Sequence, residues 1–117
     1  MIYLVDSDSN VRRSLTRLLS ADGFTVLAFA SGQEFLDSTN PQSTDFVVLD
    51  SQTEDLTGAE VQEILAQRGD PAQTIMISAK EIPNAHEQAR RRGAIAYFSK
   101  PVDGFALIDC IRFAQKG

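Results

Sequence analysis

A chain of 117 residues, 43% hydrophobic and 23% charged, has the size and apolar content of one domain with an ordinary polar surface. The net charge of −5 argues against a basic nucleic-acid footprint on this domain, and the single cysteine excludes an internal disulfide and a cysteine-built zinc site. No stretch approaches the roughly 20 apolar residues of a membrane span, and the opening Met1-Ile2-Tyr3-Leu4-Val5-Asp6 lacks the basic and long apolar regions of a secretion signal.

The first apolar run, residues 2–5, reads as a strand. Val11, Leu15, Leu18 and Leu19 then form a helical stripe that Gly23 closes. Residues 24–29 form a second run. Ser31-Gly32-Gln33-Glu34 has the form of a capping box, with Phe35 and Leu36 behind it. The third run, 46–49, is followed by a second capping-box pattern at Thr57-Gly58-Ala59-Glu60, whose helix carries Val61, Ile64 and Leu65. After the run 74–78, the spacing predicts a helix from Pro83 to Arg92, with Gly93 just past its end. The last run, 95–98, precedes a helix that starts near Asp103 and buries Leu107, Ile108 and Ile111. The runs are nearly continuous and rich in β-branched or aromatic residues, as strands buried on both faces are. Strand and helix alternate throughout, which predicts an α/β fold: a five-stranded parallel sheet, doubly wound, with right-handed crossovers.

Ligands of such sheets bind beyond the carboxyl ends of the strands. The residues there are Asp6, Ser7 and Asp8; then Asp50; then Ser78 and Ala79; then Lys100 and Pro101. Two acidic positions, a hydroxyl and a lysine at one edge suit phosphoryl transfer to a carboxylate. Asp50 offers an anionic oxygen at a strand end. A divalent cation is needed to bridge the incoming phosphoryl charge to the protein, and Mg²⁺ takes one or two carboxylates, carbonyls and water. A lysine and a hydroxyl hold the remaining oxygens.

On these residues the chain resembles the receiver domains of response regulators in two-component signalling, over essentially its whole length. Val5-Asp6-Ser7-Asp8 with Val11-Arg12-Arg13 is similar to the family's acidic loop and first helix. Val47-Val48-Leu49-Asp50, with Gly58 eight residues on, is similar to its phosphoacceptor strand and loop. Ser78-Ala79 is similar to its hydroxyl and small-residue pair, and Gly93-Ala94-Ile95-Ala96-Tyr97-Phe98-Ser99-Lys100-Pro101 to its last strand. The resemblance implies one receiver domain over 1–117, of the flavodoxin-like type, with strand order 2-1-3-4-5. It implies that Asp50 accepts a phosphoryl group from a sensor histidine kinase and ligates Mg²⁺ together with Asp6 and the Gln52 backbone carbonyl. Lys100 pairs with the phosphoryl group, Ser78 turns inward to bond it, and the Ala79 N–H assists. Tyr97 then moves into the space Ser78 leaves. The face 83–115 meets a partner or an output domain, and a homodimer through 90–97 and the last helix is one expectation. A cytoplasmic place and a role in transcription regulation follow from the same likeness. It is nearest in style to receivers that precede LuxR-type output domains, so DNA binding would belong to another domain.

The chain departs from the family pattern at Ser7, which stands where the second acid of the pair is usual. A neutral hydroxyl in place of a charged Mg²⁺ ligand costs about 1–3 kcal/mol in metal binding. Asp8, one residue further on, is no clear replacement. Glu54 stands where proline is usual and is expected to be solvated. Two versions of the reading follow: a working phosphoacceptor with weakened Mg²⁺ affinity, and a receiver-like module that binds partners without phosphorylation.

Simpler readings bear on the remaining residues. Asp6 or Asp8 alone reads as a helix cap. His86 is expected on a polar helix face beside Asn84, Glu87 and Arg90, and Arg90-Arg91-Arg92 suits a helix C-terminus. Cys110 is expected near the core and inert. An enzymatic rival is a small haloacid-dehalogenase-like phosphatase with Asp6 as nucleophile and Asp8 as acid. It leaves Asp50 without a role and lacks the late acidic pair. A flavin-binding domain is disfavoured by the acidic loop after the first strand, which repels a phosphate unless a metal intervenes.

Overall fold

The structure is a computed structural model that describes residues 1–80 and 82–116. The strands are β1 (Ile2–Val5), β2 (Val26–Phe29), β3 (Phe46–Asp50), β4 (Gln73–Ser78) and β5 (Ala94–Ser99). The helices are α1 (Ser9–Ala21), α2 (Gly32–Ser38), α3 (Gly58–Arg68), α4 (Ala85–Arg91) and α5 (Gly104–Lys116). All strand pairs are parallel, in the order β2-β1-β3-β4-β5. The expected doubly wound α/β fold is therefore present, with that strand order.

Alternate strand residues feed two separate cores, because successive side chains of a strand face opposite ways. Ile2, Leu4, Phe46, Val48, Ile75 and Ile77 pack under α1 and α5, against Leu15, Leu19, Leu107, Ile108 and Ile111. Val5, Val47, Leu49 and Met76 face the other way, against Phe35, Leu36, Val61, Leu65 and Ala89. Each such side chain taken fully out of water contributes about 1.5–3 kcal/mol. The central strand β3 is buried at every position. The two edge strands correct the expectation of burial on both faces. Leu27 of β2 is 46% exposed and Ile95 of β5 is 43% exposed, because each edge strand has a neighbour on one side only.

Two helix starts also differ from expectation. Thr57 and Glu60 form the complete reciprocal capping box at α3. At α2 the Ser31 hydroxyl accepts from the Glu34 N–H, but the other anchor comes from far along the chain. Asp55 accepts from the N–H groups of Gly32 and Gln33 at 3.1 and 3.0 Å. The fourth helix begins at Ala85, not Pro83. Asn84 precedes it with φ +63 and makes no side-chain cap, so the left-handed turn at Asn84 delays the helix.

The order of strands decides where the edge opens. From β1 the chain moves outward to β2, then crosses back to β3 on the opposite side of β1. At this reversal the loops after β1 and β3 diverge and leave a crevice at the carboxyl ends of the strands. Val5 pairs with Leu49, so the next residues, Asp6 and Asp50, stand side by side above it.

Candidate functional site

Asp6 and Asp50 are both buried, and Lys100 reaches them from the end of β5. Its ammonium lies 2.8 Å from Asp6 Oδ2 and 3.3 Å from Asp50 Oδ2. The backbone fixes this approach: the Lys100 N–H donates to the Ser78 carbonyl at 2.8 Å. Asp6 is held in turn by the Asp8 N–H, which donates to Oδ1 at 2.9 Å, and Arg12 bonds its carbonyl at 2.7 Å. Asp50 Oδ1 accepts from the Gln52 N–H at 3.3 Å. Gly58 allows the following loop to close. A Cβ there would stand 2.7 Å from Met76 Sδ and 2.8 Å from the Asp50 carbonyl.

Electrostatics follow from this packing. Burial, and then the like charge of Asp6, push the Asp50 carboxyl above the usual carboxylate range, with Lys100 partly offsetting both. Burial alone would lower Lys100. Its contact with Asp6 and the charges of Asp50 and Asp6 outweigh that and hold the ammonium above the ordinary lysine value. The site thus carries two carboxylates and one permanent cation.

Among the described residues no group of three or more His, Cys, Asp or Glu side chains is placed to share a metal ion. A cation here must draw on two carboxylates and neutral oxygens. Asp6 Oδ2 is buried and meets the Lys100 ammonium at 2.8 Å. The oxygen set of Asp6, Asp50 and the Gln52 carbonyl at the next loop fits the ligands Mg²⁺ accepts. Ser7 is half-buried beside them and offers only a hydroxyl. Asp8 is spent on α1: its Oδ1 accepts from Asn10 and Val11 N–H at 2.8 and 3.4 Å. Glu54 is exposed, as expected.

Ser78 is buried at the end of β4, and its hydroxyl is fully occupied. It accepts from the Ser51 hydroxyl at 2.7 Å and the Lys80 N–H at 3.2 Å, and donates to the Lys80 carbonyl at 3.1 Å. The neighbouring Ala79 is exposed at the mouth of the site. Tyr97 sits apart from the acidic group. Its ring stacks on His86, centroids 4.0 Å apart and planes at 31°. Tyr97 also lines a cleft of about 220 Å³ together with Ser51, Met76, Ile82, Ala85 and Gln88. His86 is exposed, as the sequence implied, but it has this aromatic partner.

Sequence reasoning brought out Asp6, Asp50, Ser78 and Lys100; it gave no role to Arg12 and missed Ser51 and Asp55. Ser51 was within reach of the same strand-end argument, since it directly follows Asp50. Asp55 gives no local signal, because the amides it caps lie 22 and 23 residues away. Cys110 is partly buried against the core under α1 and α5, and burial raises its thiol.

Residues 2–112 match the family described as the response regulator receiver domain. Among curated relatives, the transcriptional regulatory protein TdiR of Thauera aromatica is 32% identical over 113 residues, covering 97% of this chain and 50% of that protein. Nodulation protein W of Bradyrhizobium diazoefficiens is 35% identical, covering 95% of this chain and 49% of its own length. The response regulator protein TmoT of Ectopseudomonas mendocina is 34% identical, covering 99% and 53%. The chain therefore spans about half the length of these relatives. Of solved structures, the response regulator StyR superposes with a TM-score of 0.90 at 31% identity, covering 98% of this chain and 58% of that one. A CheY-like receiver from Methanospirillum hungatei superposes with a TM-score of 0.85, covering 98% and 92%; at 23% identity it supports the fold alone.

Proposed function

The chain belongs to the response regulator receiver family, and from that premise we propose that Asp50 accepts a phosphoryl group from a histidine kinase and thereby switches a partner or output domain. The observation that carries this reading is the Lys100 ammonium set between buried Asp6 and Asp50 at the crevice of the sheet. Asp50 is the nucleophile. Lys100 is already charged and placed to neutralise the equatorial oxygens of the transferred group. Asp6, Asp50 and the Gln52 carbonyl would hold Mg²⁺, which would supply charge neutralisation for the transferred group. Ser7 offers a neutral hydroxyl where the family pattern has a charged carboxylate, which would weaken the hold on the metal. Ser78, with the Ala79 N–H, follows the phosphoryl group, and Tyr97 moves from its stack on His86 into the space Ser78 leaves.

The likeness to TdiR, a transcriptional regulatory protein, supports an output in transcription, reached through the face formed by residues 83–115. A partner chain or a second copy meets that face. No helix among the described residues is long and apolar enough to cross a membrane, and the site of action is the cytoplasm, where histidine kinases present their phosphoryl groups. Family membership leaves the haloacid-dehalogenase-like reading without support.

The test is incubation with Mg²⁺ and acetyl phosphate, followed by intact mass, beside an Asp50→Asn control. A single phosphoryl adduct on the wild type and none on the control is the expected result. Labelling should rise in Ser7→Asp. Ser7 itself favours a second reading, a module that binds its partner unphosphorylated. No wild-type adduct at high Mg²⁺, with labelling regained in Ser7→Asp, would establish that one instead.

A further inference from the structure

We propose that Ser51 is a positioning residue that latches Ser78 in its resting orientation and so sets how readily the domain responds; this rests on the reading that Ser78 follows a phosphoryl group on Asp50. Ser51 is pinned on both sides of its Cα. Its N–H donates to the Ile77 carbonyl at 2.8 Å, and its carbonyl accepts from the Gly58 N–H at 2.8 Å. Because Asp50 pairs with Ile77, Ser51 comes level with Ser78 across the β3–β4 seam. Its Cβ is thereby fixed beside Ser78, and its rotamer places the hydroxyl 2.7 Å from Ser78 Oγ.

A serine hydroxyl has one proton and two lone pairs. Ser78 uses all three: the proton on the Lys80 carbonyl, the lone pairs on Ser51 and the Lys80 N–H. Ser78 is 1% exposed, so water is not at hand to replace a lost partner. Turning toward a phosphoryl oxygen means leaving the Lys80 carbonyl and the Ser51 hydroxyl together. The Lys80 contacts come from the backbone next in sequence and are local to the turn. The Ser51 contact ties two strands and is set by a side chain that a substitution can remove. Ser51 also lines the cleft that Tyr97 borders.

The test compares wild type with Ser51→Ala and Ser51→Thr by NMR, reading Ser78 Hα–Hβ couplings in the free protein and titrating beryllofluoride, a phosphoryl mimic, at high Mg²⁺. In Ser51→Ala the Ser78 couplings should average over rotamers. Half-saturation should fall about twofold to tenfold, the equivalent of one net hydrogen bond. Ser51→Thr, which keeps the hydroxyl, should restore both. Couplings that remain those of a single rotamer in Ser51→Ala overturn the latch. So do averaged couplings with unchanged or weaker binding, because the bond would then not oppose the response. If no variant takes up beryllofluoride, the phosphoacceptor reading fails, and the Ser78 couplings alone decide whether Ser51 holds that rotamer.

Discussion

At the level of single residues, Lys100 and Asp50 make opposite contributions to stability. Lys100 is held above the ordinary lysine value, so its contribution is fully present at neutral pH and is lost only as pH rises through that raised value. Replacing it by methionine leaves two buried carboxylates facing each other. Lys100→Met should cost about 3–5 kcal/mol at pH 7. The loss should shrink as pH falls, because the raised Asp50 carboxyl then takes up a proton and relieves the repulsion. Asp50 behaves the other way. Its raised carboxyl favours the neutral form, so its contribution is present at acid pH and lost as pH climbs through the folded value. At neutral pH the ionised group therefore costs stability, as groups kept for function often do. Asp50→Asn should stabilise the fold by about 1 kcal/mol at pH 7, equivalent to roughly 3–6 °C in Tm. The gain should shrink as pH falls below the carboxylate range. Urea unfolding of both variants at several pH values reads out all of this, and an Asp50→Asn protein less stable than wild type at pH 7 would contradict it.

At the level of elements, Asp55 shows how the β3–α3 loop anchors a helix it does not belong to. Three donors bind its carboxylate: the N–H groups of Gln33 and Gly32, and the Thr53 hydroxyl at 2.9 Å. Slight burial opposes them, yet together they hold the carboxyl below its usual range. The cap is thus intact at neutral pH and fades as pH falls through that lowered value. Asp55→Ala should cost about 1 kcal/mol and speed amide exchange at Gly32 and Gln33 first. This long-range cap marks a boundary of what sequence can reveal. The α3 start was legible because Thr57 and Glu60 are three residues apart. The α2 start was legible only in its Ser31 half, because the other half lies across the fold. The continuous runs of β1, β3 and β4 announced themselves, whereas the edge position of β2 and β5 depends on strand order and has no local pattern. Within the site, Asp6, Asp50 and Lys100 were legible since each closes a strand. The Ser51–Ser78 bond was not, because it needs the β3–β4 register. Nor was the His86–Tyr97 stack, since the left-handed Asn84 resets where α4 begins.

At the level of the whole molecule, the acidic site sits over the seam between two cores, so any ion bound there is linked to global unfolding. The strands that lead to Asp6 and Asp50 contribute Leu4 and Val48 to one core and Val5 and Leu49 to the other. Unfolding either core scatters the carboxylates. A ligand that binds only the folded state at about ten times its Kd adds about 1.4 kcal/mol of stability. Mg²⁺ should therefore raise Tm in wild type and do so less in Asp50→Asn. Ser7 makes the sharper test. Without metal, Ser7→Asp puts a third carboxylate beside a single lysine, and the variant should be less stable than wild type. With metal, the new charge becomes a ligand, and each tenfold gain in affinity adds about 1.4 kcal/mol. The two curves of Tm against Mg²⁺ concentration should then cross, wild type the more stable at zero and Ser7→Asp at the millimolar end. Two parallel curves would mean that position 7 does not face the metal at all, and that the charge balance of the site is set by Asp6, Asp50 and Lys100 alone.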